Sequence, residues 1–217
     1  MCRFVVARFQ KPTQPTALLQ AFAEMAQKSK ALDGDWQGDG WGVAWMDEGG
    51  SWQVQTSLAP VWEESSVFST IPATSTVVAH ARSASFPHHK GVLEYNQPYV
   101  FGSYAFVFNG LLKGVSLPDV PGRIGAEKIC HLLKQELAEH PPEVALANIK
   151  ALLLERSKEI VALNLGLVSS DTMHTVNHFS RNPEYYSLHE WQDENLRCIS
   201  SEPLFVTLQS SSDPSQT

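Results

Sequence analysis

The chain is short of the residues that would place it in several large functional classes. Cysteine is scarce: Cys2, Cys130 and Cys198 are the only three in 217 residues. An odd number without close spacing excludes a disulfide framework, and no Cys-x-x-Cys pair suggests zinc. Positive charge is in deficit, with 16 Lys and Arg against 23 Asp and Glu, a net charge of −7. No basic stripe exists to neutralise phosphates, so neither nucleic acid nor an anionic membrane surface is expected as a partner. No apolar run approaches the roughly 20 residues of a spanning helix. The apolar part of Met1 to Arg8 is too short for a signal peptide. A reduced, cytoplasmic protein is expected, with Cys130 and Cys198 serving as small buried hydrophobes. What is present is a 43% hydrophobic chain, ample for a core. Its length fits one large domain. No repeat or linker divides it, and the polar run 210–217 is expected to be a disordered tail after a single domain over 1–209.

Along the chain, Cys2 to Phe9 is rich in Val and Phe and predicts a strand that would hold Cys2 rigidly. Leu18, Leu19, Phe22, Met25 and Ala26 predict a helix over 17–31. A Gly- and Asp-rich loop, 32–42, leads into a hairpin of 43–45 and 52–56. Residues 76–82 predict an apolar strand ending on polar residues. A long loop, 83–99, holds His88, His89, Asn96, Gln97 and Pro98. The two histidines are expected to be exposed, and their spacing with His80 suits no metal, so neither a metal nor a cofactor is expected. Residues 104–108 predict a strand that stops at Asn109-Gly110, a pair that also suits a hairpin turn. Helices are predicted over 123–139 and 143–157. Strands are predicted over 160–169, 173–179, 185–190, 196–200 and 204–208. Many strands with two consecutive helices describe an α+β domain of antiparallel sheets covered by helices. A single sheet with helices on one face is the alternative to two packed sheets.

The first two residues carry the sharpest chemical signal. Met1 is removable when the next side chain is as small as Cys2. Cys2 would then carry a thiol and a free α-amine together. The thiol has a free pKa of about 8.5 and the amine one of about 7.7–8.0, so the pair contains a nucleophile and a base.

Cys2, Asp39-Gly40-Trp41-Gly42, His80-Ala81-Arg82 and Asn109-Gly110 occur in an order and at intervals that resemble the class II glutamine amidotransferase family. Ser200-Ser201-Glu202-Pro203-Leu204 resembles the Ser-Glu-Pro segment near the end of those domains. The resemblance implies an N-terminal nucleophile hydrolase fold, a four-layer αββα sandwich of two mainly antiparallel sheets. It implies Cys2 as nucleophile, its α-amine as proton carrier, and an oxyanion hole from the Asn109 side chain and the Gly110 N–H. It implies Arg82 as the clamp on a substrate carboxylate, a role suited to a guanidinium fork. His80 is expected to line the pocket or orient the loop, or simply to pack in the core. Trp41 is expected as a pocket wall or core aromatic.

The resemblance breaks at Ile124-Gly125-Ala126-Glu127. In the family, an Asp at the position of Gly125 binds the substrate α-amine, and Glu127 or Asp119 is the available replacement. The expected substrate is a small molecule, glutamine or a γ-glutamyl amide. The ammonia would pass to a separate acceptor subunit or be released. A catalytically silent binding domain of the same fold, and an acylase acting on another amide, are the alternatives.

Overall fold

The computed structural model describes residues 1–29 and 36–204. The predicted strand 204–208 beyond its first residue, the tail 210–217 and part of the loop 32–42 lie outside the described residues. Six antiparallel strands form one sheet in the order β3-β2-β4-β1-β10-β9. They are β1 (Arg3–Thr13), β2 (Trp41–Met46), β3 (Trp52–Ser57), β4 (Thr74–Ala81), β9 (His189–Gln192) and β10 (Leu196–Ser200). Four strands form the other sheet: β5 (Tyr99–Phe101), β6 (Tyr104–Lys113), β7 (Glu159–Val168) and β8 (Met173–Phe179), in chain order. The helices are α1 (Thr16–Lys28), α2 (Gly125–Glu139), α3 (Pro142–Arg156) and the single turn α4 (Pro183–Tyr186).

Side chains alternate across a strand, and β1 is buried on both faces. Phe4 and Val6 meet Val78 of β4 and Val107 of β6 between the sheets. Val5, Ala7 and Phe9 face the other way, onto Leu18, Leu19 and Phe22 of α1. On the far side, Phe106 of β6 and Leu163, Leu165 and Leu167 of β7 meet Ile129 and Leu133 of α2 and Ile149 and Leu153 of α3. Helix, sheet, sheet and helices give the four layers expected. Two sheets are present because β1 and β7 are apolar on both faces, which a single sheet covered on one side cannot accommodate. Among the described residues no helix is long and apolar enough to cross a membrane.

Several boundaries differ from the sequence expectations, and three differences shape the surroundings of the chain's first strand. The strand expected to stop at Phe108 runs on to Lys113, with Asn109 opposite Asn164 and Gly110 opposite Leu163 of β7. A long partner strand overrides the local turn preference of Asn-Gly. The run 185–190 is not one strand: Asn182, with φ of 53°, turns the chain into α4, and β9 begins only at His189. Finally, the loop after Ser83 contains two one-turn 3-10 helices, 87–89 and 93–95, before β5.

Candidate active site

β1 sits between β4 and β10, so the start of the chain is held from both sides. Arg3 pairs with Ala81, which brings Cys2 opposite Arg82 at the strand end. The Ser83 N–H donates to Cys2 Sγ at 3.3 Å. Behind it, the fully buried Arg3 donates through Nε to Glu202 Oε1 at 2.5 Å and to Ser29 Oγ at 2.9 Å, and through one guanidinium nitrogen to the Cys2 carbonyl at 3.0 Å. Its guanidinium also lies over the Tyr185 ring. Ser201 exchanges two 3.0 Å bonds with the Phe4 backbone. The Ser-Glu-Pro segment thereby fixes the backbone that presents Cys2. Glu202→Ala leaves Arg3 buried without its counter-charge, so a loss on the order of 3 kcal/mol is expected in urea unfolding.

Cys2, Arg82 and Gly110 line one cavity of about 390 Å³. Arg82 is only 4% exposed. Its guanidinium donates to the carbonyls of His89 at 2.7 Å and Asp39 at 3.4 Å, and it meets no carboxylate among the described residues. The Tyr95 ring flanks it at 5.5 Å. His89, expected to be exposed, also lines this cavity, whereas His88 stays on the surface.

The Asp39-Gly40-Trp41-Gly42 motif supports this arrangement from beneath. Asp39 accepts from the Ala84 N–H at 2.8 Å and pairs with Lys90 at 3.0 Å, which pins the loop after Arg82. Gly40 has φ of 119°, and a Cβ there would overlap Asn96; at Gly42 a Cβ would overlap the Gln97 carbonyl. The two glycines let the 96–97 segment lie directly on β2. Trp41 does not line the cavity. It points to the α1 side, donates to Glu64 at 2.9 Å and packs edge-on against Phe68. Of its two expected places, it takes the core.

Gln97 was noted in the sequence only as a loop residue. Its Oε1 accepts from the Phe108 N–H at 2.6 Å, and its Nε2 donates to the Phe108 carbonyl at 3.2 Å. The Phe108 N–H therefore points away from β7. Two residues on, the Gly110 N–H points the same way, past the end of β5, which pairs only as far as Phe106. Asn109 faces the space between the sheets, 3% exposed, and its Oδ1 has no hydrogen-bond partner. Gly110 thus lines the cavity with its N–H turned from β7, whereas Asn109, next to it, does not line the cavity and carries an unpartnered Oδ1. Gln97→Ala leaves the Phe108 N–H and carbonyl without their partner, so a loss of about 1–3 kcal/mol is expected in urea unfolding.

His80 lies fully buried on the same inter-sheet face, level with Phe4 and Gly42, and does not line the cavity. Neither ring nitrogen has a hydrogen-bond partner. Burial first, and the Arg82 charge second, lower its pKa from 6.5 to about 3; the Phe108 backbone opposes them weakly. The unfolded chain therefore takes up a proton below its ordinary value that the folded chain refuses. Stability falls as pH drops from 6.5 toward 3. The fall in urea midpoint between about pH 7 and pH 4 is expected to shrink in His80→Gln.

The Cys2 thiol is pushed above its ordinary value by burial, against the pull of the terminal ammonium, the Ser83 N–H, Arg82 and Arg3. Gln37, fully buried, donates to the Met1 carbonyl at 2.8 Å, and its Oε1 is unpartnered. Glu127 does not line the cavity. Burial would raise its pKa, but bonds from the Arg123 side chain, at 3.0 Å, and from the Arg123 N–H, at 2.6 Å, outweigh this and hold it low. Gly125 does line the cavity, and a Cβ added there would meet nothing within 4 Å.

The four-layer fold, with a cavity at the head of the central strand, is the N-terminal nucleophile hydrolase fold in the form of class II glutamine amidotransferase domains. Among solved structures it is similar over 93% of the chain to glutamine phosphoribosylpyrophosphate amidotransferase from B. subtilis, complexed with ADP and GMP, at 15% identity and a TM-score of 0.64. A class-II glutamine aminotransferase domain protein from Silicibacter pomeroyi matches over 94% of this chain and 90% of its own, at 15% identity and a TM-score of 0.62. An allosteric regulatory enzyme of purine biosynthesis gives a TM-score of 0.62 at 14% identity. The match spans 42% of the length of the B. subtilis enzyme and of that regulatory enzyme. No protein-family model and no curated protein matches the sequence.

Proposed function

We propose that the chain is an amidohydrolase that uses Cys2, freed of Met1, to cleave the γ-carboxamide of glutamine or a γ-glutamyl amide. The observation that carries this reading is the shared cavity. Cys2, a buried guanidinium that meets no carboxylate among the described residues and the Gly110 backbone line the same space. The substrate carboxylate pairs with Arg82, which sets the γ-carbonyl beside Cys2. The thiol passes its proton to the α-amine as sulfur attacks the carbonyl carbon. The oxyanion is held by the Asn109 carboxamide and the Gly110 N–H. The resulting ammonium returns the proton to the leaving nitrogen, the C–N bond breaks, and ammonia or an amine departs. Water then cleaves the thioester, releasing the γ-carboxylate and restoring the thiol. Gln37, which meets the Met1 carbonyl, is placed to accept from the new α-amine through its unpartnered Oε1.

The test is release of ammonia or amine from glutamine and a panel of γ-glutamyl amides, with the mass of the chain measured alongside. Release by chains that have lost Met1, and not by chains that keep it, is the expected result. Equal release by chains retaining Met1 overturns the role of the α-amine. Silence across the panel by processed chains overturns the amidohydrolase reading in favour of a binding domain.

A further inference from the structure

We infer that the substrate's α-nitrogen is acylated: the cavity takes an Nα-acyl-glutamine, or an Nα-acyl γ-glutamyl amide, with an apolar acyl group. This deepens the amidohydrolase reading and rests on it.

The first argument is charge. The cavity contains the Arg82 guanidinium, and among the described residues neither Asp nor Glu lines it. The described acids near it are held by other groups or stand in solvent. Glu127 is tied to Arg123 through both the guanidinium and the backbone N–H. Asp39 is occupied by the Ala84 N–H and Lys90. Asp119 is exposed on the loop before α2. A substrate carboxylate finds its match here, whereas an ammonium finds no carboxylate among the described lining residues. A charge desolvated without a partner is strongly disfavoured.

The second argument is the wall. Beside the polar Ser83, Ser85, His89 and Gln97, the lining includes an aliphatic stretch of Leu111, Leu112, Val115, Leu117, Ile124 and Ile129. That surface gains from covering a hydrocarbon chain and gains nothing from an amine. The volume of about 390 Å³ falls in the range of about 300–1,000 Å³ that holds drug-sized ligands, more room than glutamine needs.

The third argument is local. The first turn of α2 borders the cavity at Ile124, Gly125 and Ala126, and the space at Gly125 is open. No side chain of the N-cap residue, Ile124, caps this helix. Its first N–H groups favour the carbonyl oxygen of an amide, and the one carboxylate of its first turn, Glu127, is already paired with Arg123. An acyl group on the α-nitrogen supplies that oxygen, removes the positive charge, and directs a hydrocarbon chain onto the leucines.

The experiment compares kcat/KM for glutamine, Nα-acetyl-glutamine and Nα-octanoyl-glutamine by ammonia release, using the full chain with Met1 removed. The acylated substrates are expected to exceed glutamine by at least about 100-fold, the scale of discrimination set by an unpaired buried polar group, with octanoyl above acetyl. Glutamine turned over as well as the acylated forms overturns this inference and leaves the amidohydrolase reading standing. No release from any of the three, or from γ-glutamyl amides, defeats both. The Gly125→Asp variant is a second measurement. It places a carboxylate in the open space and is expected to raise kcat/KM for glutamine at least about 10-fold while lowering it for the acylated substrates. Gly125→Ala keeps the wild-type preference. A Gly125→Asp enzyme with unchanged preference overturns the placement of the α-nitrogen at this turn.

Discussion

Cys2→Ala is expected to lower amide hydrolysis by roughly 10⁴-fold or more, the cost of deleting a covalent nucleophile that acts with its partners as a unit. The fold should barely register the change. Cys2 precedes the first paired residue of β1 and is not among the fully buried side chains. Its loss removes two sulfur contacts with the Ser83 backbone, to its N–H and its carbonyl, and a change in unfolding free energy within about 1 kcal/mol is expected. Ammonia release and urea unfolding on the same preparation separate the two effects. Residual turnover within about 10-fold of wild type would show that another group attacks the amide. Cys130 and Cys198 are poor substitutes. Burial raises both thiols to about 11, and Cys198 lies in the core beneath α1.

Arg82→Lys carries the second large effect. The guanidinium reaches two backbone carbonyls and still faces the cavity with donors to spare. Lysine keeps the charge and loses the fork. Hydrogen bonds to charged groups contribute about 1.5–3 kcal/mol each, so replacing a two-point clamp is expected to cost roughly 10²–10⁴-fold in kcat/KM, mostly through KM. A substrate whose α-carboxylate is capped as a neutral amide should lose as much on the wild type and little further on the variant. If the two losses add instead, Arg82 and the carboxylate do not meet.

The sequence made much of this site legible, through residues whose chemistry is local. The Val- and Phe-rich run after Cys2 is a strand because β-branched and aromatic residues suit a pleated surface buried on both faces. The spacing of Leu18, Leu19, Phe22, Met25 and Ala26 is a helix face wherever it occurs, and these residues lie buried on α1. Arg82 ends an apolar strand, and its place at the cavity follows from that strand. The residues that were harder to place depend on partners far along the chain. Asn109-Gly110 is a strong turn signal alone; β7, more than 50 positions later, keeps it extended. Trp41 stands two residues from Asp39, but the alternation of β2 sends it to the opposite face from the cavity. Glu127 reads as a free carboxylate until Arg123 is seen to hold it from four residues away. Gln97 carried a visible signal, a polar residue between Asn and Pro in a long loop. Its target, the Phe108 backbone, has no side-chain signature at all.

The central position of β1 also orders events during synthesis. Its neighbour β10 pairs Ser200 with Val5 and Leu196 with Phe9, so β1 receives this partner only when nearly 200 further residues have been made. At about 5–20 residues per second that interval is roughly 10–40 s. Throughout it, Met1 and Cys2 stand at the head of a strand that lacks one of its two sheet neighbours. Once β10 docks, Glu202 closes on Arg3, and Met1 packs against Val161, Ala162 and Tyr186 with its carbonyl bound by Gln37. The head of the chain thus takes its final packing only when the last strand of the sheet has docked, so the two ends of the described chain are completed together.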